Sequence, residues 1–253
     1  MKYEFNYVEP FIYIRSNWFD EDSSIIEKIG HKGYFLYLNL FRFLIKNQQD
    51  PYLFVTSIQN LKNCTGLKPK EIFELIQLLY KEKIIETNNR WELWFENRKR
   101  DGKLKINEMI IIKSISYPLL VRNDENKLIP ASDSSDNKYI AIDTRLMQLY
   151  QDYNFDYPYY SFFALINKWS NGREAKVDHL GINKISEILC CSEHTVVKII
   201  ENLNKHYLLC SNLRKNKKGV KRYEHKILNN YNNIDEFIYA NKKIIDKNFN
   251  VSY

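Results

Sequence analysis

Six cations lie within the nine residues 214–222: Arg214, Lys215, Lys217, Lys218, Lys221 and Arg222. So close together they repel one another unless an anion is near, and a polyphosphate backbone is the obvious anion. Two strand-like runs, Leu208–Leu213 and Tyr223–Leu228, flank the cations, and Gly219 can take φ > 0 at the tip between them. The plainer alternative is a solvated hairpin whose tip only aids solubility.

Groups for other chemistry are few. The sequence has no GxxxxGK[ST] phosphate loop, no HExxH and no CxxC. The five histidines, His31, His179, His194, His206 and His225, include no close pair of the kind that holds a metal beside a DNA-cleaving Tyr. Cys190, Cys191 and Cys210 with His206 invite a zinc reading, but the first two fall in a turn and the third in a strand. They read as structural thiols. Asp20-Glu21-Asp22 precedes a helix, where anions favour the N-terminus more than they suit a metal. The expectation is a chain that is not an enzyme, with no catalytic residue, no metal site and no cofactor.

The elements that would position the cations are legible. Lys184–Leu189 places Ile185, Ile188 and Leu189 on one helical face. Cys190-Cys191 makes a turn, and Ser192 sits as an N-cap. Val196, Ile199, Ile200 and Leu203 then form the i, i+3, i+4, i+7 stripe of a second helix. A helix, a tight turn and a longer helix make a helix-turn-helix, whose second helix can enter a DNA major groove. Its exposed first turns would carry Glu193, His194, Thr195, Val197 and Lys198, next to Ser192. The charged hairpin follows at the spacing of a wing.

A second copy precedes it. A shift of 124 positions carries Ile58 onto Ile182, Leu61 onto Ile185, Gly66 onto Cys190, Ile72 onto Val196, Ile76 onto Ile200, Leu79 onto Leu203 and Ile85 onto Leu209. Phe35–Ile45 faces Tyr159–Trp169, and Phe11-Ile12-Tyr13-Ile14 resembles Tyr139-Ile140-Ala141-Ile142. In this copy Lys68 and Lys70 are the exposed cations of the second helix. Its wing is expected to turn at Asn88-Asn89, with Trp91, Leu93 and Phe95 alternating to one side. Glu86, Arg90 and Glu92 make that wing unsuited to clamping phosphate.

Charge follows the same division. Residues 1–126 hold 19 Lys/Arg against 17 Asp/Glu, whereas 184–226 alone hold ten basic and four acidic residues. The net charge is +7, and apolar residues make up 44% of the chain, as in a folded globular protein. No apolar run approaches the ~18 residues of a membrane span and no signal pattern opens the chain, so a cytoplasmic protein is expected. Four cysteines in a chain this long do not make a disulfide framework.

The stretch KISEILCCSEHTVVKIIENLNKHYLL resembles bacterial winged-helix and helix-turn-helix regulators, where Ser-x-x-Thr-Val opens the recognition helix; Ser192, Thr195 and Val196 fill that pattern. Cys190 stands where the family has Gly, so a strained or differently shaped turn is expected. Residues 11–47 resemble the DnaD-like opening of phage and plasmid replisome organisers, through Trp18-Phe19-Asp20, Ile25, Gly30, Tyr37, Leu38 and Leu40. Tandem winged helices also occur in plasmid replication initiators, where the second copy reads origin sites.

The resulting expectation is an α+β chain of two winged-helix domains, 1–100 and 138–228, with a connector 101–137 and a C-terminal helix within 229–253. It would bind specific double-stranded DNA, mainly through the second domain, as a plasmid or phage replication initiator recruiting host replication proteins. A transcriptional regulator with the same contacts, or a protein-binding adaptor, are the alternatives. A homodimer is a further possible assembly, and no membrane partner is expected.

Overall fold

The computed structural model describes residues 6–22, 24–45, 52–87, 106–115, 120–122, 128–130, 139–169, 175–177, 180–215, 221–227 and 234–249. The chain is α+β and divides into two compact units. The first comprises Met1–Ser16 with Lys28–Thr144, the second Asn17–Glu27 with Arg145–Tyr253.

In the first unit, β1 (Phe11–Arg15) pairs antiparallel with β8 (Tyr139–Asp143) in a register centred on Tyr13 opposite Ala141. The Thr144 hydroxyl donates to the Glu9 and Pro10 carbonyls and ties the end of β8 to the start of β1. Helix α1 (Ile25–Leu40), whose first three residues belong to the second unit, is broken at Gly30, whose φ of 65° no L side chain adopts cheaply. After β2 (Leu44–Ile45) and β3 (Leu53–Thr56) come α2 (Ile58–Thr65) and α3 (Pro69–Lys81). Ser57 caps α2 by accepting from the Asn60 N–H, and Pro69 begins α3, where a missing N–H costs nothing. Strands β4 (Ile85–Thr87) and β5 (Ile110–Ser114) complete an antiparallel sheet in the order β2-β3-β5-β4.

Strand β5 lies in the stretch read from sequence as connector, yet it is an inner strand of this sheet. Ile110, Ile112 and Ser114 alternate into the core, and the Ser114 hydroxyl shares a hydrogen bond of 2.9 Å with the Tyr37 hydroxyl. The partner of β4 is thus Ile110–Ser114, with Ile85 opposite Ser114, and the unit extends to Thr144 where an end near residue 100 was expected. The expected wing residues Asn88 to Phe95 lie outside the described residues. A short pair, β6 (Leu120–Arg122) with β7 (Leu128–Pro130), also falls in the presumed connector.

The second unit repeats the pattern: α4 (Thr144–Asp152), whose first residue still belongs to the first unit, α5 (Tyr157–Trp169), β9 (Ala175–Val177), α6 (Ile182–Ile188), α7 (Glu193–Lys205), β10 (Cys210–Lys215), β11 (Lys221–Ile227) and α8 (Ile234–Phe249). Its sheet order, β9-β11-β10, matches β3-β5-β4 of the first. The shift of 124 holds at atomic detail. It carries Pro69–Lys81 onto Glu193–Lys205, and the Ile84 N–H to Leu79 carbonyl bond onto Leu208 to Leu203, both 2.9 Å. Ile72, Ile76 and Leu79 in one copy, Val196, Ile200 and Leu203 in the other, are completely buried. Each stripe fills its own core, at roughly 1.5–3 kcal/mol per aliphatic side chain.

Candidate nucleic-acid interface

Helix α7 presents a defined face because its opposite face is anchored. With Val196, Ile199, Ile200 and Leu203 buried, Glu193, His194, Lys198 and Glu201 fall on the exposed side. The Ser192 hydroxyl accepts the Thr195 N–H at 3.1 Å and shares a 2.9 Å hydrogen bond with the Thr195 hydroxyl. Ser192 and Thr195 therefore hold the first turn in place, while Glu193, His194 and Lys198 are what it displays. Among the described residues none of these three makes an ion pair.

The turn before α7 is left-handed at Cys190, with φ 50°. Burial raises the Cys190 thiol pKa, helped by the Glu27 carboxylate, and pushes Cys191 up to about 11, with Cys190 adding to it. Neither shift favours the nucleophilic thiolate at neutral pH. Cys210 is buried, and the His206 Nδ1 lies 2.8 Å from the Asn202 carbonyl. Among the described residues no three His, Cys, Asp or Glu side chains gather as a metal set.

Sequence reasoning missed the buttress behind the α6–α7 pair. Residues Asn17–Glu27, far away in the chain, belong to the second unit. Phe19 is completely buried and Trp18 nearly so. The Ser24 hydroxyl donates to the Ile188 carbonyl at the end of α6, where helix carbonyls lack internal partners. Lys184 pairs with Glu21, and Lys168 with Asp20 while donating to the Phe19 carbonyl at 2.9 Å. The acidic triplet read as a helix-dipole feature is thus partly a clamp on two lysines. Lys184, counted from sequence in the basic stretch, is engaged here, and its pKa is raised chiefly by the Glu21 hydrogen bond.

The backbone register of β10 and β11 sets Arg214 opposite Arg222 and Lys215 opposite Lys221. Like charges directly opposite on a ladder destabilise it. Lys217 and Lys218 lie outside the described residues.

The first unit is electrostatically quieter. Lys68 and Lys70 are exposed at the start of α3, but Lys70 lies 3.9 Å from Glu74. Glu71 hydrogen-bonds Lys32, which holds its carboxyl below the usual range. Across the sheet, Glu86 sits opposite Lys113. Arg90, Glu92 and the basic residues Arg98 to Lys105 lie outside the described residues.

No described helix is long and apolar enough to cross a membrane. Comparison with protein-family models, with curated proteins and with solved structures found no match.

Proposed function

We propose that this chain is a sequence-specific double-stranded DNA-binding protein made of two winged-helix units, with the second as principal reader. The observation that carries the reading is the register of the β10–β11 hairpin. Two like-charged cross-strand pairs, Arg214 with Arg222 and Lys215 with Lys221, stand beside a helix-turn-helix. Such a ladder costs stability unless an anion bridges it, and a phosphate backbone supplies a row of anions at that scale. Support for the winged-helix assignment comes from the order helix, strand, helix, helix, strand, strand, with the last strand inner in the sheet, which the second unit has and the first unit has with β2 added before β3. Glu193, His194 and Lys198 would face bases or phosphates, and Lys68 and Lys70 would add a weaker contact from the first unit.

The role we assign to this binding is replication initiation for a plasmid or phage, with recruitment of host replication proteins. It rests on the resemblance of residues 11–47 to replisome organisers. The test is duplex affinity of the full chain against salt, before and after changing Lys215, Lys217, Lys218 and Lys221 to Ala. Affinity should drop for all duplexes, and each phosphate no longer neutralised should flatten the log K versus log[salt] slope by ~0.9. A folded variant with unchanged affinity and slope would sink the reading. Loss of plasmid maintenance with the same variant tests the replication role.

A further inference from the structure

We infer that the second unit carries a separate binding surface for unpaired nucleotides at the far end of α7, built from Tyr153, His206, Lys205 and Lys242. The core of the surface is a ladder of rings. Tyr159 is buried and fixed by the Asn202 Nδ2 donating to its hydroxyl at 2.7 Å. Phe155 stacks on it at 4.6 Å and 16°, and Tyr153 stacks on Phe155 at 5.6 Å and 29°. The ladder ends in solvent, since Tyr153 is 42% exposed. The His206 ring, capping α7, flanks Tyr153 at 4.7 Å.

Helix α8 brings a cation to this end. Phe237 and Asn241 are buried, and the Asn241 Nδ2 donates to the Tyr207 carbonyl at 2.7 Å, fastening α8 beside the end of α7. Lys242 then lies 5.8 Å from the ring of Tyr207, the chain neighbour of His206. Lys205 is exposed one residue before His206. Among the described residues Lys205 and Lys242 make no ion pair.

Exposed rings next to unpaired ammonium groups are the two halves of single-strand recognition: bases stack while phosphates follow the cations. A duplex cannot use the rings, because its base faces are already stacked. Asp152 and Asp156 beside the ladder, and Asp235 and Glu236 at the start of α8, are exposed and repel phosphate. A helix of 13 residues separates this surface from Ser192 by about 20 Å, so the duplex-reading end and this end are distinct. The inference goes beyond the duplex reading and stands without it.

The test uses the full chain, a fluorescein-labelled oligothymidylate and a labelled duplex, read by anisotropy at one salt concentration. Tyr153→Ala should weaken oligothymidylate binding about 5- to 100-fold and leave duplex binding unchanged, while Tyr153→Phe retains both. Lys205→Ala with Lys242→Ala should flatten the single-strand salt slope by ~0.7 per phosphate released. The β10–β11 variant should lose duplex and keep oligothymidylate. No oligothymidylate binding by the intact chain, or retention of full affinity by folded Tyr153→Ala, overturns the proposal. So does polyglutamate competing as well as oligothymidylate at equal charge, which would make this a surface for acidic protein.

Discussion

Gly66 and Cys190 occupy the same place in two copies of one turn, and both backbones are left-handed, at φ 72° and 50°. Only the first copy has the residue for which this conformation carries no steric cost. A Cβ at Gly66 would meet nothing within 4 Å, so the difference between the copies lies in the backbone and not in packing. Lys83 and Tyr207, at φ 55° and 57°, are a second such pair, neither of them Gly.

Cys190→Gly should therefore stabilise the second unit by about 0.5–1 kcal/mol, the relief being partly offset by greater freedom of the unfolded chain. Gly66→Ala should cost about 1 kcal/mol in the first. Urea denaturation of the two variants checks both signs. A Cys190→Gly midpoint below that of the parent would mean that the thiol contributes more than the strain costs.

The second unit should not fold from residues 138–253 alone, because Asn17–Glu27 are part of it. Phe19→Ala in the full chain should lose about 3–5 kcal/mol, as expected for an aromatic side chain removed from a closed core. Circular dichroism of fragment 138–253, with and without a peptide covering 17–27, is the direct measurement. A cooperative melt of the bare fragment would contradict the assignment of that segment.

His194→Ala and Lys198→Ala should reduce discrimination between a selected duplex site and random duplex. A side chain that reads a base edge is worth about 1–3 kcal/mol of that discrimination. If both variants weaken selected and random binding in equal measure, these side chains touch phosphate and base reading lies elsewhere.

Stability should fall in alkali. Burial raises the Tyr7 hydroxyl and the Cys64 thiol to about 12, and also raises Tyr34, Tyr37 and Tyr150. A folded state that keeps protons the unfolded chain releases is favoured fully below pH ~9–10 and loses that advantage as pH climbs towards the folded values. Denaturant midpoints from pH 8 to 11 should decline, with no tyrosinate absorbance from the buried rings before unfolding. On the acid side Glu71 acts in the opposite sense: its lowered pKa makes its contribution present above the ordinary carboxylate range and lost as pH drops through it.

Much of the fold and part of the candidate site follow from local chemistry. The stripe Val196, Ile199, Ile200, Leu203 needs only the period of a helix, and Ser192 needs only its own hydroxyl and the N–H three residues on. The alignment of two copies could be read because their apolar positions keep one spacing with no gap. These are relations between residues a few positions apart, so they are legible before any fold is known. Tertiary structure decided the rest. Nothing local in IIIKS says that it enters the sheet between β3 and β4, since strands of three to five residues pair according to which face closes over a core. Nothing local in Trp18–Glu27 assigns it to the second unit, where Phe19 is buried and Ser24, Glu21 and Asp20 meet partners more than 140 positions away. Those pairings also decide which lysines are engaged: Lys168 and Lys184 have carboxylate partners, and Lys198 makes no ion pair. Charge can be counted along a chain, but its availability depends on neighbours that only folding brings together.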